Sequence, residues 1–109
     1  MNVVSDEHAR LQQQLTSATK EARALRKQLA DEVDQRHPLR VQLARNMVRL
    51  RKARGWTQED LAEKTDLHRN QIGAIEQRRQ STGLDIIEIL AATFKVMPGK
   101  LLDPDPENE

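Results

Sequence analysis

Apolar residues in the first third of the chain fall at Leu11, Leu15, Ala18, Ala22, Leu25 and Leu29, with spacings of four, three, four, three and four. This is a strict heptad seam, narrower than the stripe by which a globular helix docks on a core. No Gly or Pro interrupts residues 4–33, where good helix formers (Gln, Ala, Leu, Arg, Lys, Glu) predominate. With Leu15, Ala22 and Leu29 at the a positions, Leu11, Ala18 and Leu25 stand at d. Glu21 then takes g and Arg26 the following e, the register in which a parallel partner forms an interhelical ion pair. A helix over residues 4–33 would run about 45 Å, too long to lie wholly on a domain the size of the remaining chain. Residues 1–36 therefore predict a self-associating coiled coil, dimerising through Leu11, Leu15, Leu25 and Leu29. The two consecutive Ala layers bury little, so packing on this chain's own domain or on another protein stays open.

His37-Pro38 breaks the pattern, because Pro disfavours helical geometry in the residue before it and suits a first helical turn. Short helices follow. The first spans about 38–53, with Leu43, Met47 and Leu50 on one face and Gly55 as its stop. The second starts at Thr57, which with Asp60 has the spacing of a capping box. The third covers about 68–76, with Ile72 and Ile75 inward. The fourth covers about 84–94, with Leu84, Ile87, Leu90, Ala91 and Phe94 inward and Ser81 or Thr82 as its cap. A last turn carries Leu101 and Leu102, and the DPDPENE tail over 103–109 should be disordered.

Composition agrees with an all-α chain. Gly and Pro number four each, aromatics are 2%, and Cys is absent, which removes disulfides, Cys-zinc sites and thiol nucleophiles. No apolar run approaches the ~20 residues of a membrane span, and the start lacks signal-peptide order. The expectation is a soluble, cytoplasmic protein without a membrane partner. Charge is informative only by region: residues 37–80 hold ten Lys or Arg against five acids, and residues 81–109 hold two against six. A basic middle hidden in a net charge of +1 is the footprint of a phosphate-binding surface.

Residues 57–76, TQEDLAEKTDLHRNQIGAIE, give two helices joined by a turn of three or four residues around Asp66. Ala62 supplies the small side chain that crossing helices on so short a turn require. This is the arithmetic of a helix-turn-helix. The stretch RLRKARGWTQEDLAEKTDLHRNQIGAIEQRRQ, followed by LDIIEILAATFKV, resembles the phage-repressor family typified by lambda repressor and Cro, over roughly residues 40–102. The resemblance implies a five-helix domain over 37–102 behind the N-terminal helix, and the run from Arg69 to Glu76 leans toward restriction–modification controller-like members. Asp66 stands where the family's turn has Gly, and His68 where its third helix begins with Ser or Thr; Asp tolerates left-handed geometry and His is a poorer cap.

The resemblance also implies roles. Gln58 would bind a phosphate at a helix N-terminus, Arg69, Asn70 and Ala74 would face the floor of the DNA major groove, and Gln71 would lie near its edge. Arg78 and Arg79 would clamp phosphate, with Lys52 and Arg54 as additional contacts. Glu76 reads as a structural acceptor for a nearby Arg, and Trp56 as core. Dimerisation in the family implies a surface around Phe94, Val96, Met97, Leu101 and Leu102. The expected function is a dimeric, sequence-specific transcriptional regulator, repressor or controller, on a palindromic DNA operator. The rival is an antitoxin or interaction module whose N-terminal helix binds a partner protein. His8, His37 and His68 are scattered, so no metal is expected; no cofactor, catalytic set or enzyme activity is either.

Overall fold

The computed structural model describes residues 3–104, and the described chain is all-α. Its six helices are α1 (Val3–Arg36), α2 (Pro38–Ala53), α3 (Gln58–Thr65), α4 (Arg69–Glu76), α5 (Leu84–Phe94) and α6 (Pro98–Leu101). The chain divides into two compact units after Glu32. Most of the acidic tail, residues 105–109, lies outside the described residues.

The first unit is the N-terminal stretch of α1. Thr16 and Thr19 donate their hydroxyls to the carbonyls of Gln12 and Leu15, both at 2.8 Å, the local bond a mid-helix Thr makes when water surrounds it. The seam leucines Leu11, Leu15, Leu25 and Leu29 are 57–67% exposed.

The second unit has one core. Leu43, Met47 and Leu50 of α2, Leu61 and Ala62 of α3, Ile72 and Ile75 of α4, Ile87, Leu90, Ala91 and Phe94 of α5 and Leu101 of α6 all meet in it. Helix α4 packs on α2 and α3, and α5 packs on α3 and α6. Each boundary has a local cause. His37 ends α1, its N–H bonding Val33, and Pro38 opens α2. Gly55 takes φ +71° after α2, and Thr57 and Asp60 complete the expected capping box. Asp66 adopts the left-handed φ of 60° that the tight turn requires. His68 caps α4 after all, its Nδ1 accepting the Asn70 N–H at 3.1 Å. Trp56 packs against the core and stacks on Phe94 with ring centroids 5.8 Å apart, and Lys64 Nζ lies 4.7 Å from its ring centre.

Four expectations need correction. Leu101, assigned to a dimer surface, is wholly buried, because α6 folds back onto α2 and supplies the floor of the core. Leu102 is half-buried against the same core, Phe94 is wholly inside it and Val96 packs on it, leaving Met97 as the exposed member of that set. Leu84 is 75% exposed: at the first residue of α5 it stands at the rim of a cleft shared with Leu39 and Leu102 rather than in the core. Neither Ser81 nor Thr82 caps α5; Gly83 occupies that position without a side-chain bond.

One polar anchor escaped the sequence reading. Asn46 is fully buried, and its amide nitrogen donates to the carbonyls of Lys100, Leu101 and Asp103 at 3.2, 2.8 and 3.0 Å. It ties the end of α6, and Asp103 just beyond it, to α2. An Asn inside a helix face gives no hint of a partner more than fifty residues away.

Candidate nucleic-acid interface

Helix α4 has one face locked and one face free. Ile72, Gly73, Ile75 and Glu76 are buried, whereas Arg69 and Asn70 are exposed and Gln71 and Ala74 half-exposed. The locked face is held at Glu76. Its Oε2 accepts from Arg51 Nε and its Oε1 from Arg51 Nη2, both at 2.9 Å, a bidentate pair joining α2 to α4. The two side chains are only 12% and 5% exposed. Arg51 also donates Nη1 to the Trp56 carbonyl at 3.0 Å, fixing the entry to α3. Gln58 Nε2 donates to Glu76 Oε1 at 3.1 Å, so one carboxylate ties α2, α3 and α4 together.

This network refines two sequence expectations. Glu76 is the structural acceptor anticipated, and Arg51 is its partner. Gln58 sits at the first position of α3 as expected, but one of its amide hydrogens is engaged internally; its amide group has a second to offer a ligand. The Cβ that any larger residue would add at Gly73 meets Gln58 Oε1 at 3.8 Å, ordinary contact distance. The two helices are therefore close where Gln58 crosses α4.

At its start, α4 offers Arg69, whose Nη1 lies 3.3 Å from Glu59 Oε1. Both side chains are more than 60% exposed, and such a pair is weak enough to exchange for a stronger acceptor. At its end, Arg78 N–H bonds the Ile75 carbonyl and Arg79 N–H the Ala74 carbonyl, both at 3.0 Å, closing α4 with a Schellman motif. The left-handed position in that motif usually belongs to Gly, yet here Arg78 occupies it at φ 62°. Its Nε contacts Asp34 Oδ1 at 2.6 Å, so this guanidinium is already paired. Arg79 is exposed, as is Lys52. Arg54, expected as an additional phosphate contact, is exposed, but its guanidinium is already engaged. It donates to the Phe94 carbonyl at 2.6 Å and lies over the Trp56 and Phe94 rings, closing the core from outside.

Six expected contact residues thus gather on or beside α4: Arg69, Asn70, Gln71 and Ala74 on it, Arg78 and Arg79 just beyond. Gln58 joins them through Glu76. The family model described as Helix-turn-helix matches residues 48–101, from within α2 to the end of α6. A hypothetical transcription factor of Neisseria meningitidis serogroup B is 40% identical over 80 residues, spanning 73% of this chain and 72% of that protein. The chain belongs to the helix-turn-helix family, of the lambda-repressor type. The crystal structure of the hypothetical transcription factor NHTF from Neisseria superposes with a TM-score of 0.60 at 40% identity, covering 63% of this chain and 79% of that one.

The family and the relative's name point to a DNA-binding transcription factor rather than an enzyme. Among the described residues no group of three or more His, Cys, Asp or Glu is arranged to hold a metal. No described helix is long and apolar enough to cross a membrane.

Proposed function

We propose that this protein is a sequence-specific transcriptional regulator that binds a palindromic DNA operator as a dimer, each copy inserting α4 into the major groove. The observation that carries this reading is the two-sided construction of α4: the Arg51–Glu76–Gln58 network immobilises its back while Arg69 and Asn70 project from its front. Arg69 offers a bidentate donor pair suited to guanine, Asn70 a donor and an acceptor suited to adenine N7 and N6, and Ala74 a methyl to set against thymine. Gln58, Arg78 and Arg79 supply phosphate contacts that fix register without reading sequence. Three or four readers per helix discriminate modestly, and two half-sites supply the specificity a genome demands. In this role the regulator acts at its operator as a repressor or a controller.

Selection from a random duplex pool tests the reading. The expected product is a motif of two inverted half-sites about one helical turn apart. Recovery of no motif, with binding equal on all duplexes, would reject sequence-specific recognition.

A further inference from the structure

From the seam of α1 we infer that the protein self-associates through a parallel, in-register two-stranded coiled coil, α1 against α1 of a second copy. This rests on the dimeric regulator proposed above for its purpose, but not for its evidence. Leu11, Leu15, Leu25 and Leu29 recur at a and d on one uninterrupted helix, and all four are exposed. A second identical helix covers each of them with its own counterpart. The apolar seam also stops where the unit does. After Leu29 the next d position is Glu32 and the next a position is Arg36, both exposed, and the chain divides after Glu32.

The apolar layers alone do not choose an orientation. An antiparallel pair would set Leu11 against Leu29, Leu15 against Leu25 and Ala18 against Ala22, which is as apolar as the parallel arrangement. The flanking charges choose. Antiparallel helices bring the two g positions together, so Glu21 of each copy would face the other, a repulsive contact at the centre of the coil. Parallel helices put Glu21 opposite Arg26 of the second copy, twice by symmetry. The parallel orientation has a functional consequence. The second unit begins at Val33, within the C-terminal turns of α1, so in a parallel pair both second units are joined to the same end of the coil, as two half-sites on one duplex need.

The chain has no Cys, so single cysteines report orientation without background. Leu11→Cys and Leu29→Cys are made in the full-length protein, one carrying an added tag so that mixed and self dimers differ in size. They are oxidised with diamide separately and after mixing. The expected result is a covalent dimer from each variant alone and no mixed dimer, because parallel strands bring each introduced thiol beside its own counterpart. In an antiparallel pair the thiols of two Leu11→Cys chains would stand about 27 Å apart and only the mixed species would form. That outcome overturns the orientation.

The double variant Leu15→Asp, Leu25→Asp adds a second measurement, since it places unpaired charge in the seam. Sedimentation should show a smaller assembly. An unchanged assembly together with no cross-linking overturns self-pairing and leaves α1 as a surface for a different protein. Binding to a selected operator, read by gel shift on the same variants, keeps the two proposals separate: cross-linking without DNA binding rejects the regulator reading alone.

Discussion

The two units are written in the same residues at nearly the same spacing, yet one buries its apolar face and the other does not. In α5, Ile87, Leu90, Ala91 and Phe94 recur at three and four and are buried, because α3 and α6 present matching faces within the same unit. In α1, Leu11, Leu15, Ala18, Ala22, Leu25 and Leu29 recur at the same intervals, and the four leucines stay exposed. Full burial of one such side chain is worth about 1.5–3 kcal/mol, so each exposed leucine forgoes a large stabilisation that the second unit collects internally. Helical periodicity states that a face must be covered. It does not state by what, and the difference between the units lies in who supplies the cover.

The sharpest way to break the self-sufficiency of the second unit is to remove its polar lock. Glu76→Ala strips Arg51 and Gln58 of their shared acceptor and leaves a guanidinium only 12% exposed without a counter-charge. Losing one partner of a buried pair costs about 3 kcal/mol, a large share of the stability of a small domain. Urea titration followed by Trp56 fluorescence should register that loss, since this only tryptophan lies in the second unit and packs on its core. A change near zero would mean that the network is incidental to the fold.

Much of this architecture was legible because its determinants are local. The Pro38 start of α2, the Thr57–Asp60 box, the left-handed Asp66 and the helix bounds follow from single residues and their neighbours. The readable part of the interface has the same origin, as Arg69 and Asn70 are exposed by their phase on α4 relative to Ile72 and Ile75. What was not legible depends on contacts distant in sequence. Nothing near Asn46 announces three carbonyls beyond residue 99, and nothing near Arg54 announces the Phe94 carbonyl. Leu101 reads as an apolar residue at a chain end, available for a partner, until α6 is seen to fold back onto α2. Asp34 lies 44 residues before Arg78, and spacing along a helix cannot reveal that pair.

The next effect falls on recognition. Among the described residues the Arg69 side chain bonds only Glu59, and both groups are mostly exposed, so Arg69→Ala should hardly change stability. Operator affinity should fall by about 1–3 kcal/mol, with relaxed preference at one base pair in each half-site. Competition gel shifts with single-base operator variants measure both quantities. Unchanged preference would remove Arg69 from the groove and shift the reading role to Asn70 and Gln71.

Dilution sharpens the comparison without any substitution. A helix whose cover comes from a second copy loses it by mass action, about 1.4 kcal/mol for each tenfold drop in concentration, whereas a unit that covers itself does not. Circular dichroism sees α1 along with the rest, while Trp56 fluorescence reports the second unit. On dilution the helical signal should decline and its thermal transition move to lower temperature, with the Trp56 transition fixed. If the two probes move together, the units are not independent in the way their burial suggests.

The smallest effect probes the Asp34–Arg78 contact, both of whose residues fall in the second unit. Arg78 is held in left-handed backbone where Gly is the usual occupant, and its guanidinium is engaged by Asp34 at 2.6 Å, with both side chains about a third exposed. A phosphate reaching Arg78 must share or displace that carboxylate. Asp34→Asn removes the competing charge, and a partly exposed ion pair of this kind is worth at most about 1 kcal/mol. DNA affinity should therefore rise by no more than about fivefold, equally for operator and unrelated duplexes, because a phosphate contact carries no sequence information. The slope of log affinity against log salt should steepen by up to about one unit, the signature of one more phosphate neutralised. Fluorescence anisotropy across a salt series measures both changes. A weaker rather than stronger affinity would mean that Asp34 orients Arg78 for the phosphate instead of competing with it, and an unaltered slope would take Arg78 out of the DNA contact altogether.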